Sequence, residues 1–268
     1  MPDTSFRLFD SHTHLDQYDP GELPGILSRA RENSVQGIIV AGVTIESSER
    51  SVLLAQDHPG YLWAGVGVHP MEPDIDLTNA DIKRLRELAA DPRVVCISEV
   101  GLDYQSGTPD ARVQERALRD QLRIAVDENL PVIFHNRDAG SEPLRILDEE
   151  LRGRVPAVAH YFQGPTDYAR GCLERDFYVS LAKPLLRLPD LQNIVRDIIP
   201  LERIVLETDA YPQPFKRNRS SWTEPFHVTQ VAEKVAELKS VTVEEVAKTT
   251  SANLERLLGR SLSLQNPD

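Results

Sequence analysis

Apolar and polar positions alternate along this chain in two distinct rhythms. Eight short runs rich in β-branched residues recur: Phe6–His12, Gly37–Gly42, Leu62–Val68, Val94–Glu99, Pro131–His135, Ala157–His160, Phe177–Leu181 and Arg203–Asp209. Between them apolar residues return every three or four positions, the period of a helix with one buried face. That spacing is clearest at Leu23–Asn33, Glu46–Asp57, Ala80–Ala90, Val113–Glu128 and Leu188–Ile199. Two further helices, Pro225–Leu238 and Val243–Leu258, are expected to close the chain. Thr78 and Pro189 stand where a cap and a first-turn residue belong, and Thr242 with Glu245 has capping-box spacing. Eight strands alternating with helices predict a (β/α)8 barrel. An open doubly wound sheet is the competitor, but no glycine-rich phosphate loop follows the first strand. With no repeat, low-complexity tract or linker, residues 1–268 are expected to form one domain, its core at about residues 6–260.

The strands differ from ordinary core strands at their C-terminal ends, where polar side chains cluster. His12 and His14, Glu99, His135, His160 and Asp209 all fall there. A lone histidine closing a strand is more often a hydrogen-bonded core residue, the reading that suits His58. His12-Thr13-His14 is different, because the strand period of two aims both imidazoles at one face, where they want a common acceptor. Alternation places Val95, Ile97 and Glu99 together, and a carboxylate above an apolar interior is costly unless paired or bound to metal. His135 and His160 complete a second nitrogen and oxygen site with Glu99. Asp209 can ligate an ion and accept a proton from an attacking water, with Glu207 and Asp10 as groups that orient ligands. The set is expected to gather at one barrel end around two divalent ions roughly 3.5–4 Å apart, zinc suiting the imidazoles and magnesium or manganese possible in their place. His69, closing the third run, is a candidate phosphate donor or a loop anchor. Arg137 suits a phosphate oxygen, or pairs with Asp138 or Asp103; Lys183 and Tyr161 are weaker candidates.

Composition narrows the class. Of 268 residues, 40% are apolar and 27% charged, ordinary for a globular protein. The apolar runs are too short to span a bilayer, Met1–Ser5 shows no start of a signal peptide, and the two cysteines, Cys96 and Cys172, lack paired spacing. A cytoplasmic protein with free thiols and no membrane association is expected. The net charge of −12 argues against coating of long duplex. It leaves room for local phosphodiester contact. The one concentrated basic segment, Lys216-Arg217-Asn218-Arg219, follows Asp209, so Lys216, Arg217 and Arg219 are expected substrate contacts.

The ordered motifs Phe9-Asp10-Ser11-His12-Thr13-His14-Leu15-Asp16, Gly67-Val68-His69-Pro70, Glu99-Val100-Gly101-Leu102-Asp103-Tyr104, His135-Asn136-Arg137, His160-Tyr161-Phe162-Gln163-Gly164 and Glu207-Thr208-Asp209-Ala210 resemble the TatD-type metal-dependent deoxyribonucleases, amidohydrolase-like barrels, over about residues 6–260. The resemblance implies that His12, His14 and Asp209 hold one ion, that Glu99 bridges, and that His135 and His160 hold the second. It also implies a 3'-5' exonuclease on single-stranded DNA or strand ends, with Glu99, Asp209 and His69 catalytic. Family members commonly carry His-Ser-Arg, His-Cys-Phe-Ser-Gly and Glu-Thr-Asp-Ala-Pro. Here Asn136, Tyr161 and Gln163 differ, and Tyr211 adds a residue before Pro212. These changes spare the ligands and alter the pocket rim. The competing expectations are a same-fold hydrolase of a carboxyl ester, aminoacyl ester or amide, and a non-enzymatic component of a larger assembly.

Overall fold

A computed structural model describes residues 6–262; the expectation drawn from Met1–Ser5 lies outside them. Eight parallel strands form one sheet in sequence order: β1 (Leu8–Thr13), β2 (Val35–Ala41), β3 (Leu62–Val66), β4 (Val94–Asp103), β5 (Val132–Arg137), β6 (Ala157–Ala159), β7 (Tyr178–Leu181) and β8 (Ile204–Leu206). The helices are α1 (Leu23–Glu32), α2 (Ile45–Asp57), α3 (Asn79–Ala89), α4 (Ala111–Asp127), α5 (Glu142–Leu151), α6 (Thr166–Glu174), α7 (Pro189–Asp197), α8 (Val228–Lys239) and α9 (Val243–Leu258). The molecule is the expected (β/α)8 barrel. Its seam closes just past β8, where the His14 amide donates to the Ala210 carbonyl at 2.8 Å and the Asp209 amide to that of His12 at 3.0 Å. Closure therefore sets the first-strand histidines beside Asp209.

Local signals explain the helix starts. Thr78 accepts from the Asp81 amide and Asp81 returns the bond, so the cap of α3 is reciprocal. Thr242 caps α9 in one direction only, accepting from the Glu245 amide. Pro189 opens α7, where its missing N–H is not needed. The expected Pro225–Leu238 helix divides into a 3-10 turn, Pro225–His227, followed by α8. Helices α5 and α6 were not singled out by periodicity. They are short, and both start with residues that carry no side-chain cap.

Two apolar layers hold the barrel. One joins the outer strand faces to the helices. The other gathers Phe9, Ile39, Val95, Ile133, Val158, Tyr178 and Val205 with Leu254, Leu257, Leu258 and Leu262. The Asn253 amide holds the carbonyls of Leu201 and Ile204 before and at the start of β8, and Arg260 holds that of Pro92 before β4. The end of α9 thus lies across the N-terminal opening, leaving the C-terminal end as the mouth. The expected Val95, Ile97, Glu99 alternation does not hold. Val95 and Cys96 both join the inner layer while Ile97 packs outward, because the strand register breaks on both sides of this stretch. Strand β4 also runs on to Asp103, so Glu99 sits inside it. The Ser98–Glu99 peptide is cis.

Candidate active site

All six expected ligand residues meet at the C-terminal end of the barrel. His14 Nε2 lies 3.2 Å from Asp209 Oδ1 and 3.6 Å from Glu99 Oε2, and His12 Nε2 lies 3.3 Å from Glu99 Oε2. On the other oxygen of Glu99, His135 Nδ1 stands at 3.0 Å, His69 Nε2 at 3.2 Å and His160 Nε2 at 3.3 Å. One carboxylate thus faces five imidazoles, 4% exposed at the base of the mouth.

What holds each imidazole is as informative as what it faces. The Nδ1 of His14 is 3.0 Å from the Ala41 carbonyl, and that of His160 is 3.0 Å from Glu207. A carbonyl only accepts, so His14 Nδ1 carries a proton, and Nε2 is the nitrogen turned into the site. Glu207 is itself fixed, accepting from the Ser180 hydroxyl at 2.5 Å and the Tyr161 amide at 2.8 Å. His135 rests its Nε2 on Asp103 at 3.0 Å and turns Nδ1 toward Glu99. His12 sets Nδ1 near the Ser98 hydroxyl at 3.5 Å; its buried Nε2, facing Glu99 Oε2 at 3.3 Å, makes no well-formed hydrogen bond among the described residues. An anchored imidazole with its free nitrogen aimed inward is the arrangement that metal-ligating histidines need. Among the described residues the candidate ion-holding sets are His12 with His14 and Asp209, His12 with Glu99 and His160, and His69 with Glu99 and His135. His12, His14 and Asp209 fall together in one set; His135 shares a set with His69 and His160 one with His12, while His135 and His160 face the same oxygen of Glu99 at 3.0 and 3.3 Å.

The electrostatics agree. Burial alone pushes His14 down, but the hydrogen bond and charge of Asp209, with Glu99 behind them, carry it up to about 9. Burial likewise opposes His160, yet Glu207 and Glu99 raise it to about 10. Glu99 falls well below the carboxylate range despite its burial, chiefly through His160 and His69, and Asp209 is lowered through its bond to His14. These carboxylates and imidazoles demand positive charge in the space between them. A mixed nitrogen and carboxylate donor set, with the buried His12 Nε2 among it, fits divalent transition metal.

The other expected residues divide. His69 anchors the loop, its Nδ1 accepting from the Met71 amide at 3.1 Å, and its Nε2 faces Glu99 at the site. Arg137 pairs with Asp103 at 2.7 Å yet still lines the cavity, whose volume is about 1770 Å³. Lys216 lines it too. Arg217 is exposed and outside the lining. Arg219 is taken up by Glu22 at 3.0 Å and Glu224 at 2.9 Å, its guanidinium over the Trp222 ring at 4.4 Å. Asp10 accepts from the Thr208 amide and hydroxyl and also from the backbone amide of the ligand candidate His12 at 3.4 Å, without touching its imidazole. Asp103, the alternative partner foreseen for Arg137, is the fully buried last residue of β4. Arg187, which lines the cavity from the turn after β7, gives no sequence signal.

The model of TatD-related DNases matches residues 9–259. The chain belongs to that family. Its relatives include YabD of Bacillus subtilis, named an uncharacterized metal-dependent hydrolase, 36% identical over 93% of this chain and 98% of its own. The 3'-5' ssDNA/RNA exonuclease TatD of Musicola paradisiaca is 35% identical over 77% of this chain and 82% of its own. Among solved structures, the TatD homologue YJJV of Escherichia coli K12 superposes with a TM-score of 0.84 at 26% identity, covering 94% of this chain and 97% of its own. The TatD-family hydrolases are metal-dependent, in keeping with the donor set described here. Both cysteines are free and buried, and no helix among the described residues is long and apolar enough to cross a membrane.

Proposed function

We propose that this TatD-family hydrolase cleaves phosphodiester bonds at the end of a single DNA strand in the 3'-5' sense, using two divalent ions, with zinc the ion that suits its donors. The observation that carries the reading is the anchoring of His14, His135 and His160 on fixed acceptors, each turning its other nitrogen toward one central carboxylate. His12, His14 and Asp209 would hold one ion, His135 and His160 the other, with Glu99 between them. When bound, such ions lower the pKa of water and neutralise charge building on a phosphoryl group. The protein's own groups do the rest. Asp209, with a side chain 19% exposed, is the most accessible carboxylate of the site and takes the proton of the attacking water. His69 presents an Nε2 proton, since its Nδ1 is occupied as an acceptor, and steadies a non-bridging oxygen. Arg137, oriented by Asp103, offers a second donor, and Lys216 adds charge at the rim. The closed barrel floor keeps bulk water to one side.

The competing reading is a carboxyl ester or amide substrate on the same scaffold, since a fold does not fix its substrate. Metal-loaded protein should degrade a single-stranded oligonucleotide and leave a panel of carboxyl esters intact; the reverse preference sinks the nuclease reading and keeps the hydrolase. Glu99→Ala should abolish hydrolysis and lower metal content while the melting transition stays cooperative. Full activity with two ions retained would assign the bridging role elsewhere.

A further inference from the structure

The cavity mouth is electrically lopsided. Six cationic side chains line it: Arg137, Arg145, Arg175, Lys183, Arg187 and Lys216. The first three, on the β5 and β6 side, are each held by acidic partners: Arg137 by Asp103 at 2.7 Å, Arg175 by Asp148 at 2.7 Å, and Arg145 by Glu142 and Glu149. The last three follow β7 and β8, and none has a carboxylate partner among the described residues. Lys183 Nζ reaches the Thr223 hydroxyl at 3.4 Å and Lys216 Nζ the Ser221 carbonyl at 3.1 Å; Arg187 is exposed near Tyr161. Burial first, and then the charge of Lys216, hold Lys183 below the ordinary lysine range, so the two ammoniums feel one another. In a chain of net charge −12, an arc of unneutralised cations on one wall of the reaction cavity focuses positive potential there.

We propose that Lys183, Arg187 and Lys216 form an anion track that holds the phosphates next to the scissile one. The strand then leaves the reaction centre over the β7–β8 side of the mouth. On the opposite wall Arg137 is kept at the reaction centre by Asp103, while Arg145 and Arg175, already neutralised by their carboxylates, guide no flanking phosphate. The proposal rests on the nuclease reading and adds to it a direction and a set of residues.

Two measurements test it on the full-length protein. The first is fluorescence anisotropy of a labelled eight-residue oligo-dT in chelator, which needs no turnover. Lys183→Gln/Arg187→Gln/Lys216→Gln should weaken binding at least tenfold and flatten the salt dependence by about two in log–log slope, since each phosphate contact on a single strand contributes roughly 0.7. Arg145→Gln/Arg175→Gln, which strips cations from the opposite wall, should bind like wild type. Equal weakening by both variants would reduce the effect to overall charge and overturn the track, as would an unchanged affinity in the triple variant. The exposed Arg187→Gln alone, with an unaltered melting temperature, guards against a folding defect in the half-buried Lys183, and it should weaken binding two- to threefold. The second measurement is KM against substrate length. The gap between wild type and the triple variant should widen from a dinucleotide, with one phosphodiester, to the octamer; an equal gap would move these residues to the reaction centre. Wild-type protein that cleaves neither substrate defeats the nuclease reading, while the anisotropy arm still decides the track.

Discussion

At the scale of single residues, the site is organised by the groups behind the candidate ligands. His160 faces Glu99 only because Glu207, buried and holding Ser180 and the Tyr161 amide, grips its far nitrogen. Glu207→Gln keeps the size of the side chain but loses the charge that orients and enriches the imidazole. Metal affinity should fall 10- to 100-fold, as is usual when such a partner is removed. Titration of the variant with zinc, read by competition with a chromogenic chelator, checks this; unchanged affinity would make Glu207 purely a packing residue. Asp103 serves His135 and Arg137 at once, so one buried carboxylate links a candidate ligand to a candidate phosphate donor. These partners could be suspected from the sequence as acidic residues near the motifs. Which imidazole each would grip could not, since Glu207 and His160 lie 47 positions apart.

Among the elements, β4 and β5 carry the tightest constraint. Gly101 lies where a Cβ would stand 2.1 Å from the His135 carbonyl oxygen, so the two strands can meet only without a side chain there. Gly101→Ala should push β5 outward, cost on the order of 2 kcal/mol or more, and displace His135. A lowered melting temperature with reduced metal content is the expected result; a wild-type melt would show that the strands give way freely. A second joint ties α1 to the loop after β8. Glu224, 5% exposed, receives Arg29 at 2.7 Å and Arg219 at 2.9 Å, with Glu22 on the far side of Arg219. Burial opposes it, but the bonds to Arg29 and Arg219 hold Glu224 below its ordinary value. A carboxylate lowered in the folded state stabilises above its unfolded pKa, and that contribution disappears as pH falls through the folded value. The melting-temperature difference between wild type and Glu224→Gln should therefore be full at pH 7 and shrink below about pH 4.5. A difference that persists at pH 3 would trace the loss to packing. This joint also explains why Arg219, expected at the substrate, is engaged elsewhere.

For the whole molecule, one open mouth and one floor covered by α9 make a site that ions enter from a single side. Since the donors come from β1, β4, β5, β6 and the segment after β8, ion binding should clamp strands around the whole barrel. Saturation at about 100 times Kd contributes roughly 2.7 kcal/mol to the folded state. For a chain of this size that raises the melting temperature by roughly 5 °C or more over the chelated protein. Scanning calorimetry with zinc and with chelator reads this directly, and coincident transitions would deny the ligand set. Much of the architecture was written in the one-dimensional pattern. The strand pattern repeats eightfold with helical periods between most strands, and strand ends carry the polar residues, because a barrel must bury alternate side chains below and expose its chemistry above. The ligand candidates His12, His14, Glu99, His135, His160 and Asp209 were legible for the same reason. Three things were decided only by the fold. Glu99 sits within a strand whose register breaks, so local alternation misassigned its neighbours. Arg219 went to a carboxylate 197 positions away, and the unpaired cations gathered from two separate loops. Period and motif are local properties of the chain, whereas charge pairing depends on which distant segments the closing of the barrel brings within a few ångströms.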